Sequence, residues 1–209
     1  SFYIVYYNMK KITQITALVL ALTVSSGLMA QRKLTEATIS YDIVINTSNS
    51  SPQAADLLDG ATSVIYLKGT SSRSEMISSL GTQATIIDGK SGDITVLKDY
   101  GEQKYMITMT PANWKQSNKK YDGITFTYYD EYKTIAGYKC QKALGKLMDG
   151  SSFTVYFTKE LMPANKDFQY LNKNLPGLAM QYEASLGKTM VTYTVSTINF
   201  NPVPLTKFD

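Results

Sequence analysis

The chain has 209 residues, 44% of them hydrophobic and 18% charged, with a formal net charge of +4, one cysteine and no histidine. The missing imidazole excludes Ser-His-Asp and Cys-His nucleophilic catalysis and removes the commonest transition-metal ligand. A single thiol excludes an internal disulfide, so packing alone must hold the fold.

Residues 1–8 (SFYIVYYN) place apolar and aromatic side chains ahead of Met9, and read as upstream translation or a remnant outside the fold. From Met9 the layout is that of a secretory signal. Met9-Lys10-Lys11 is a short basic start, Ile12 to Ala30 carries no charge, and Ser25-Ser26-Gly27 leads to a cleavage point at Ala30-Gln31. The apolar run is shorter than the roughly 20 residues a membrane span needs. Residues 9–30 are therefore expected to be cleaved, leaving no stable span, and the lack of a cysteine after the signal predicts a periplasmic or secreted protein without a lipid anchor. Cleavage leaves 19 basic against 17 acidic side chains. That near-neutral balance gives no case for nucleic acid, and Lys115, Lys119 and Lys120 read as a solvated helix face.

Residues 31–209 show no linker, composition shift or repeat, and predict a single domain. Their dominant pattern is alternation. Ala37, Ile39, Tyr41, Ile43 and Ile45 share one face of an extended segment; Thr38, Ser40, Asp42 and Asn46 share the other. Comparable segments, rich in Tyr, Thr, Val and Ile, recur at 62–69, 73–79, 83–88, 93–98, 103–110, 124–130, 138–147, 152–159, 178–185 and 189–199. Asp88-Gly89-Lys90-Ser91-Gly92, Asp149-Gly150-Ser151 and Leu186-Gly187-Lys188 supply hairpin turns, which predict antiparallel neighbours in a meander. Three segments break the pattern. Residues 52–58 allow one or two helical turns, residues 111–120 begin with Thr110 as N-cap and Pro111 at the first helical position, and residues 163–174 place Phe168 and Leu171 at helical spacing. The sum is a mainly β (α+β) chain of about ten or eleven strands with two or three short helices. Its sheet must either curl around the helices or close into a barrel.

Few residues offer chemistry. Asp88, Asp93, Asp99 and Asp149 sit at turns and strand ends, where solvation and turn formation account for them. Glu75 and Glu183 lie within strands and read as outward carboxylates; a carboxylate-only hydrolase would need two inward acids facing a cleft. Cys140 reads as a small buried hydrophobe. Methionines spread through the strands suggest either ordinary core filling or an adaptable apolar groove. The candidate groove residues are Met109, Met162, Phe168, Leu171 and Met180, with Met162, Phe168 and Leu171 as the candidates for a lid. No catalytic residue, metal ligand or cofactor is expected.

Three segments in fixed order carry a family resemblance: Ile135-Ala136-Gly137-Tyr138-Lys139-Cys140-Gln141-Lys142-Ala143, then Phe153 to Glu160 with its Val-Tyr-Phe-Thr core, then Leu175-Pro176-Gly177-Leu178 leading into a strand. The chain resembles uncharacterised secreted proteins typical of Bacteroidota, the GLPGLI family and its relatives; Asn174, where that pattern has Gly, favours the sibling families. Such families are similar in fold to the periplasmic lipoprotein carriers LolA and LolB. The resemblance implies an open antiparallel half-barrel whose apolar concavity, plugged by short helices, accepts acyl chains, and it brings no catalytic residue. It implies a binding module for a lipid, acyl chain, lipoprotein or other apolar ligand. An envelope-protein scaffold with a self-filled interior is the alternative.

Overall fold

The computed structural model describes residues 31–46, 58, 60–186 and 188–209. The expected signal, the residues before it, nearly all of the 52–58 segment and Gly187 lie outside the described residues. The described residues form thirteen strands: β1 (Arg32–Leu34), β2 (Glu36–Ile45), β3 (Thr62–Lys68), β4 (Ser71–Ser78), β5 (Gly81–Ile87), β6 (Ile94–Tyr100), β7 (Gln103–Met109), β8 (Thr125–Ile135), β9 (Tyr138–Lys146), β10 (Ser152–Thr158), β11 (Leu161–Pro163), β12 (Leu178–Leu186) and β13 (Thr189–Asn199). One α-helix, α1 (Pro111–Ser117), stands between β7 and β8. Eleven strands make one antiparallel sheet in the order β7-β6-β5-β4-β3-β2-β13-β12-β10-β9-β8. It is two meanders joined where β2 pairs with β13. The sheet stays open, because β7 and β8 are its two ends and do not pair with each other. This is the open half-barrel that the resemblance implies.

The chain itself forces the curvature. Laid flat, eleven strands about 4.8 Å apart would separate β7 from β8 by about 48 Å. The link Thr110–Ile124 must cross that gap with α1 inside it. At 1.5 Å per helical residue and at most about 3.4 Å for each of the others, it reaches less than about 40 Å. The edges must therefore curl toward each other, with the link lying over the face between them.

That inner face carries Ala37, Ile39 and Tyr41 of β2 opposite Leu67, Ile65 and Ser63 of β3, and Val195 and Tyr193 of β13 opposite Tyr41 and Ile43. It buries the main core. The outer face carries Thr38, Ser40 and Asp42, so the alternation read from the sequence assigns the two faces of β2 directly.

Four local features depart from the sequence reading. β8 runs to Ile135, past the expected 124–130, and turns through Ala136 and Gly137, both at positive φ (48° and 85°). Two positive values mark a type I′ hairpin, and alanine is not a residue that announces one. The short parallel pair β1–β11 shows no periodicity over three residues, yet it buries Leu34 and Leu161. Residues 163–174 form a 3-10 segment, Asp167–Asn172, broken at Gln169 (φ −106°, ψ 53°), and not a regular helix. A further 3-10 turn, Leu205–Phe208, ends the chain. The expected α1 start is present: Thr110 Oγ1 accepts from Asn113 N at 3.2 Å, and Pro111 takes the first turn. No described helix is long and apolar enough to cross a membrane.

Candidate functional site

The centre of the inner face is filled by the chain's own side chains. Tyr182 and Tyr193 stack at 4.9 Å, and Tyr41 meets both edge-on. Tyr41 donates to the Ala179 carbonyl at 2.8 Å, and burial raises all three phenols above their ordinary range. Over this trio lies the stretch from Lys166 to Leu178. Lys166 Nζ donates to the Leu175 carbonyl at 2.7 Å. Gln169, itself buried, donates to the Asn172 and Gly177 carbonyls (3.4 and 3.1 Å) and accepts from Ala179 N at 3.3 Å. Gly177 runs so close to β10 that a Cβ there would fall 1.9 Å from the Thr158 carbonyl oxygen. The Leu175-Pro176-Gly177-Leu178 motif is thus a latch: Leu175 and Leu178 are fully buried, and glycine permits the backbone approach.

The five predicted groove residues are spread over three clusters and β11, with Phe168 and Met180 together. Met109 packs with Trp114 of α1 against Ile87, Ile94 and Val96. Met180 is fully buried in the main core, against which Phe168 also packs. Leu171 packs against a second core of Ala143, Phe153, Val155 and Leu175. Met162 is half-buried on β11. The 167–172 segment therefore lies on the core as part of it, and of the five residues Leu171 borders open space.

That space is a hollow of about 300 Å³ at the end of the inner face. Tyr121, Leu147, Phe153, Leu171, Ala184 and Met190 supply its apolar wall, and Lys120, Asp149 and Glu183 its polar rim. A second hollow, about 410 Å³, lies toward the β7 edge on the outer face, where Arg73, Ala84, Leu97, Asp99, Lys104 and Met106 meet. Sequence periodicity offered no route to either hollow. Loop ends bring the first together: its Tyr121 belongs to no alternating run, and Leu147 stands at the very end of one. The second combines positions that read individually as ordinary outward strand residues.

The single-residue candidates have structural partners. Cys140 is buried; its thiol donates to the Tyr138 carbonyl at 3.3 Å, and burial pushes its pKa up to about 11, opposite to the shift a reactive thiolate needs. Glu75 lies on the outer face, as its strand position predicts, but it is not freely solvated. It pairs with Arg73 at 2.6 Å, and the two side chains are 12% and 16% exposed. Arg73 also donates to the Lys207 carbonyl, which ties the C-terminal 3-10 turn to β4. Glu183 accepts from Thr154 N at 2.9 Å, and Asp149 is held by Ser151 in its own turn, where those bonds lower its pKa. Lys115, Lys119 and Lys120 are exposed. No group of three or more metal-ligating side chains occurs among the described residues.

No protein-family model and no curated protein matches the sequence. Among solved structures the chain is similar to PNGF-II, with a TM-score of 0.45 and 10% identity over 83% of this chain and 29% of that one. It is also similar to MucB, solved in complex with MucA(peri), with a TM-score of 0.42 and 10% identity over 82% of this chain and 52% of that one. A beta-barrel-like protein of domain of unknown function DUF1849 from Brucella abortus gives a TM-score of 0.38 and 7% identity over 82% of this chain and 100% of that one. The chain thus spans under a third of PNGF-II and about half of MucB.

Proposed function

We propose that this domain is an exported binding module that receives the end of an acyl chain, or another short amphiphile, in the hollow at the mouth of its inner face. The observation that carries the reading is that hollow. Its volume of about 300 Å³ stands at the lower end of the range usual for small-molecule sites, and its apolar wall faces a rim bearing Lys120. An apolar tail would lie against Leu147, Phe153 and Leu171 while an anionic head group met Lys120. The tyrosine trio and the Gln169–Leu178 latch set the depth, so a long chain would enter only if the latch moved. The role is binding and not catalysis, since at the rim Glu183 is already engaged by Thr154 N of β10 and Asp149 by Ser151 of its own turn. Export to the periplasm or beyond and the likeness to lipoprotein carriers belong to the same reading. A second reading, an envelope scaffold without a small ligand, draws on the packed centre of the inner face.

One experiment separates the two. Full-length protein purified from its own envelope is examined by native mass spectrometry and lipid extraction, then titrated with a fluorescent fatty acid. Binding is expected to be saturable and to weaken at least tenfold in Ala184→Trp, which fills the hollow. Empty protein with no saturable probe binding would exclude the ligand reading and leave the scaffold.

A further inference from the structure

Among the described residues β7 ends the sheet with few of the devices that usually blunt an edge. It pairs with β6 in unbroken register from Gln103 to Met109, contains no proline, and carries one charge, Lys104, already bridged to Asp99 at 3.0 Å. Gln103 through Thr108 are exposed on both faces of the sheet; Tyr105, Met106 and Ile107 are 51, 71 and 42% exposed. Unpaired backbone beside such side chains is a template for another strand.

The hairpin turn fixes which backbone groups are free. Gly101 alone of the two loop residues has positive φ (74°), the signature of a type II′ turn, so Gln103 N–H turns inward to the Tyr100 carbonyl. Hydrogen-bonding direction alternates along an antiparallel strand, so Lys104, Met106 and Thr108 direct N–H and C=O outward.

We infer that β7 pairs antiparallel with β7 of a second copy of this chain, on a two-fold axis through Met106, so that one sheet runs through both molecules. Met106 is the midpoint of Gln103–Met109, and only a register centred there keeps the whole strand paired. The outward groups of Met106 then meet those of its counterpart, and Lys104 meets Thr108. On the inner face Tyr105 stands opposite Ile107, an aromatic and β-branched pair of the kind that stabilises sheets. No like charges are opposed. On the outer face the two Met106 side chains meet at the rim of the 410 Å³ hollow, beside Leu97.

Sedimentation equilibrium of the full chain over a wide concentration range tests this. A concentration-dependent dimer is expected, with Met106→Lys weakening it at least tenfold by setting two ammonium groups face to face. Because Met106 is mostly exposed, that variant should keep its circular dichroism and unfolding midpoint. Met106→Cys should form a disulfide-linked dimer under mild oxidation, since the paired Cα atoms would be about 5.5 Å apart, whereas Thr108→Cys should not. Amide exchange at Lys104, Met106 and Thr108 should slow as concentration rises. A monomer at every concentration, or a dimer that is indifferent to Met106→Lys, would overturn the inference; the monomer would leave the edge for a strand of a different protein.

Discussion

At one end of the sheet β8 carries an irregularity between Tyr128 and Tyr132, with Asp130 and Glu131 on it; at the other, β7 runs straight with neither bulge nor acid. The β8 bulge is tied down. Glu131 accepts from Tyr156 Oη at 2.6 Å and Lys142 Nζ at 2.9 Å, and these bonds hold its carboxyl below the usual range. Lys133 lies over the Tyr156 ring and donates to Gln181. A bulged, charged, cross-linked edge resists pairing with a stranger, and a flat apolar one invites it. The strands behind the edges differ in the same sense. β10 and β12, toward β8, bury Val155, Phe157, Leu178 and Met180 completely or nearly so beneath the latch, whereas β5 and β6, toward β7, are covered on the inner face by Trp114 of α1. Both wings bury apolar residues, but one carries the latch and the other an exposed edge strand.

The sharpest way to break that division is a pair of truncations. Leu175→Ala empties a fully enclosed site and should cost about 3–4 kcal/mol in urea unfolding, within the range for buried leucines. Leu97→Ala, on the half-buried wall of the outer hollow, should cost less than about 1.5 kcal/mol, because water already reaches the site. Equal losses would remove the distinction between the wings. Gly177→Ala probes the latch from its backbone. With 1.9 Å available to the new methyl, β10 or the latch must shift, at about 1–3 kcal/mol.

The packed region should also determine the response to alkali. Burial raises the folded-state pKa of Cys140 from 9.0 to about 11 and raises those of Tyr41, Tyr182 and Tyr193 as well. The unfolded thiol loses its proton first, so between pH 9 and 11 the native state holds more protons than the unfolded one. Stability is then complete below pH 9 and falls as pH rises through that window. Cys140→Ala should flatten the fall there and leave the later phenol-linked loss above pH 10. A slope unchanged by Cys140→Ala would show that the thiol is not the group responsible.

Much of the architecture was legible because strand alternation is imposed by burial on one face. Ala37, Ile39 and Tyr41 face the core for the reason their spacing suggests, and the Asp88 and Asp149 turns declare themselves by chemistry. What period two does not encode was harder to read. The β1–β11 pair is too short to show a period, Gln169 interrupts what spacing alone reads as a helix, and the crossing from β7 to β8 becomes visible only once the strand order is known. The five groove residues are brought together only in part, Phe168 with Met180, for a related reason. Methionine content reports apolar surface without saying which cluster it joins, so Met109 and Met180 read alike though one lies under α1 and the other in the main core.

The smallest expected effect concerns the turn that closes the guarded edge. Ala136 holds φ at +48° in the β8–β9 hairpin, where a Cβ is disfavoured by roughly 1–2 kcal/mol. Asparagine tolerates that conformation and is preferred at the first central position of a type I′ turn, so Ala136→Asn should stabilise the domain by about 1 kcal/mol. Ala136→Gly relieves the same strain but gives part of it back as unfolded-state entropy, and should gain less. The order Asn, then Gly, then Ala in unfolding midpoint is therefore the diagnostic. If the strain resides in the turn, that order should hold while the β7 edge behaves unchanged in sedimentation. If all three midpoints coincide, the hairpin is held by cross-strand contacts such as Lys139 over the Tyr132 ring, and the β8 edge owes its shape to side chains and not to its turn.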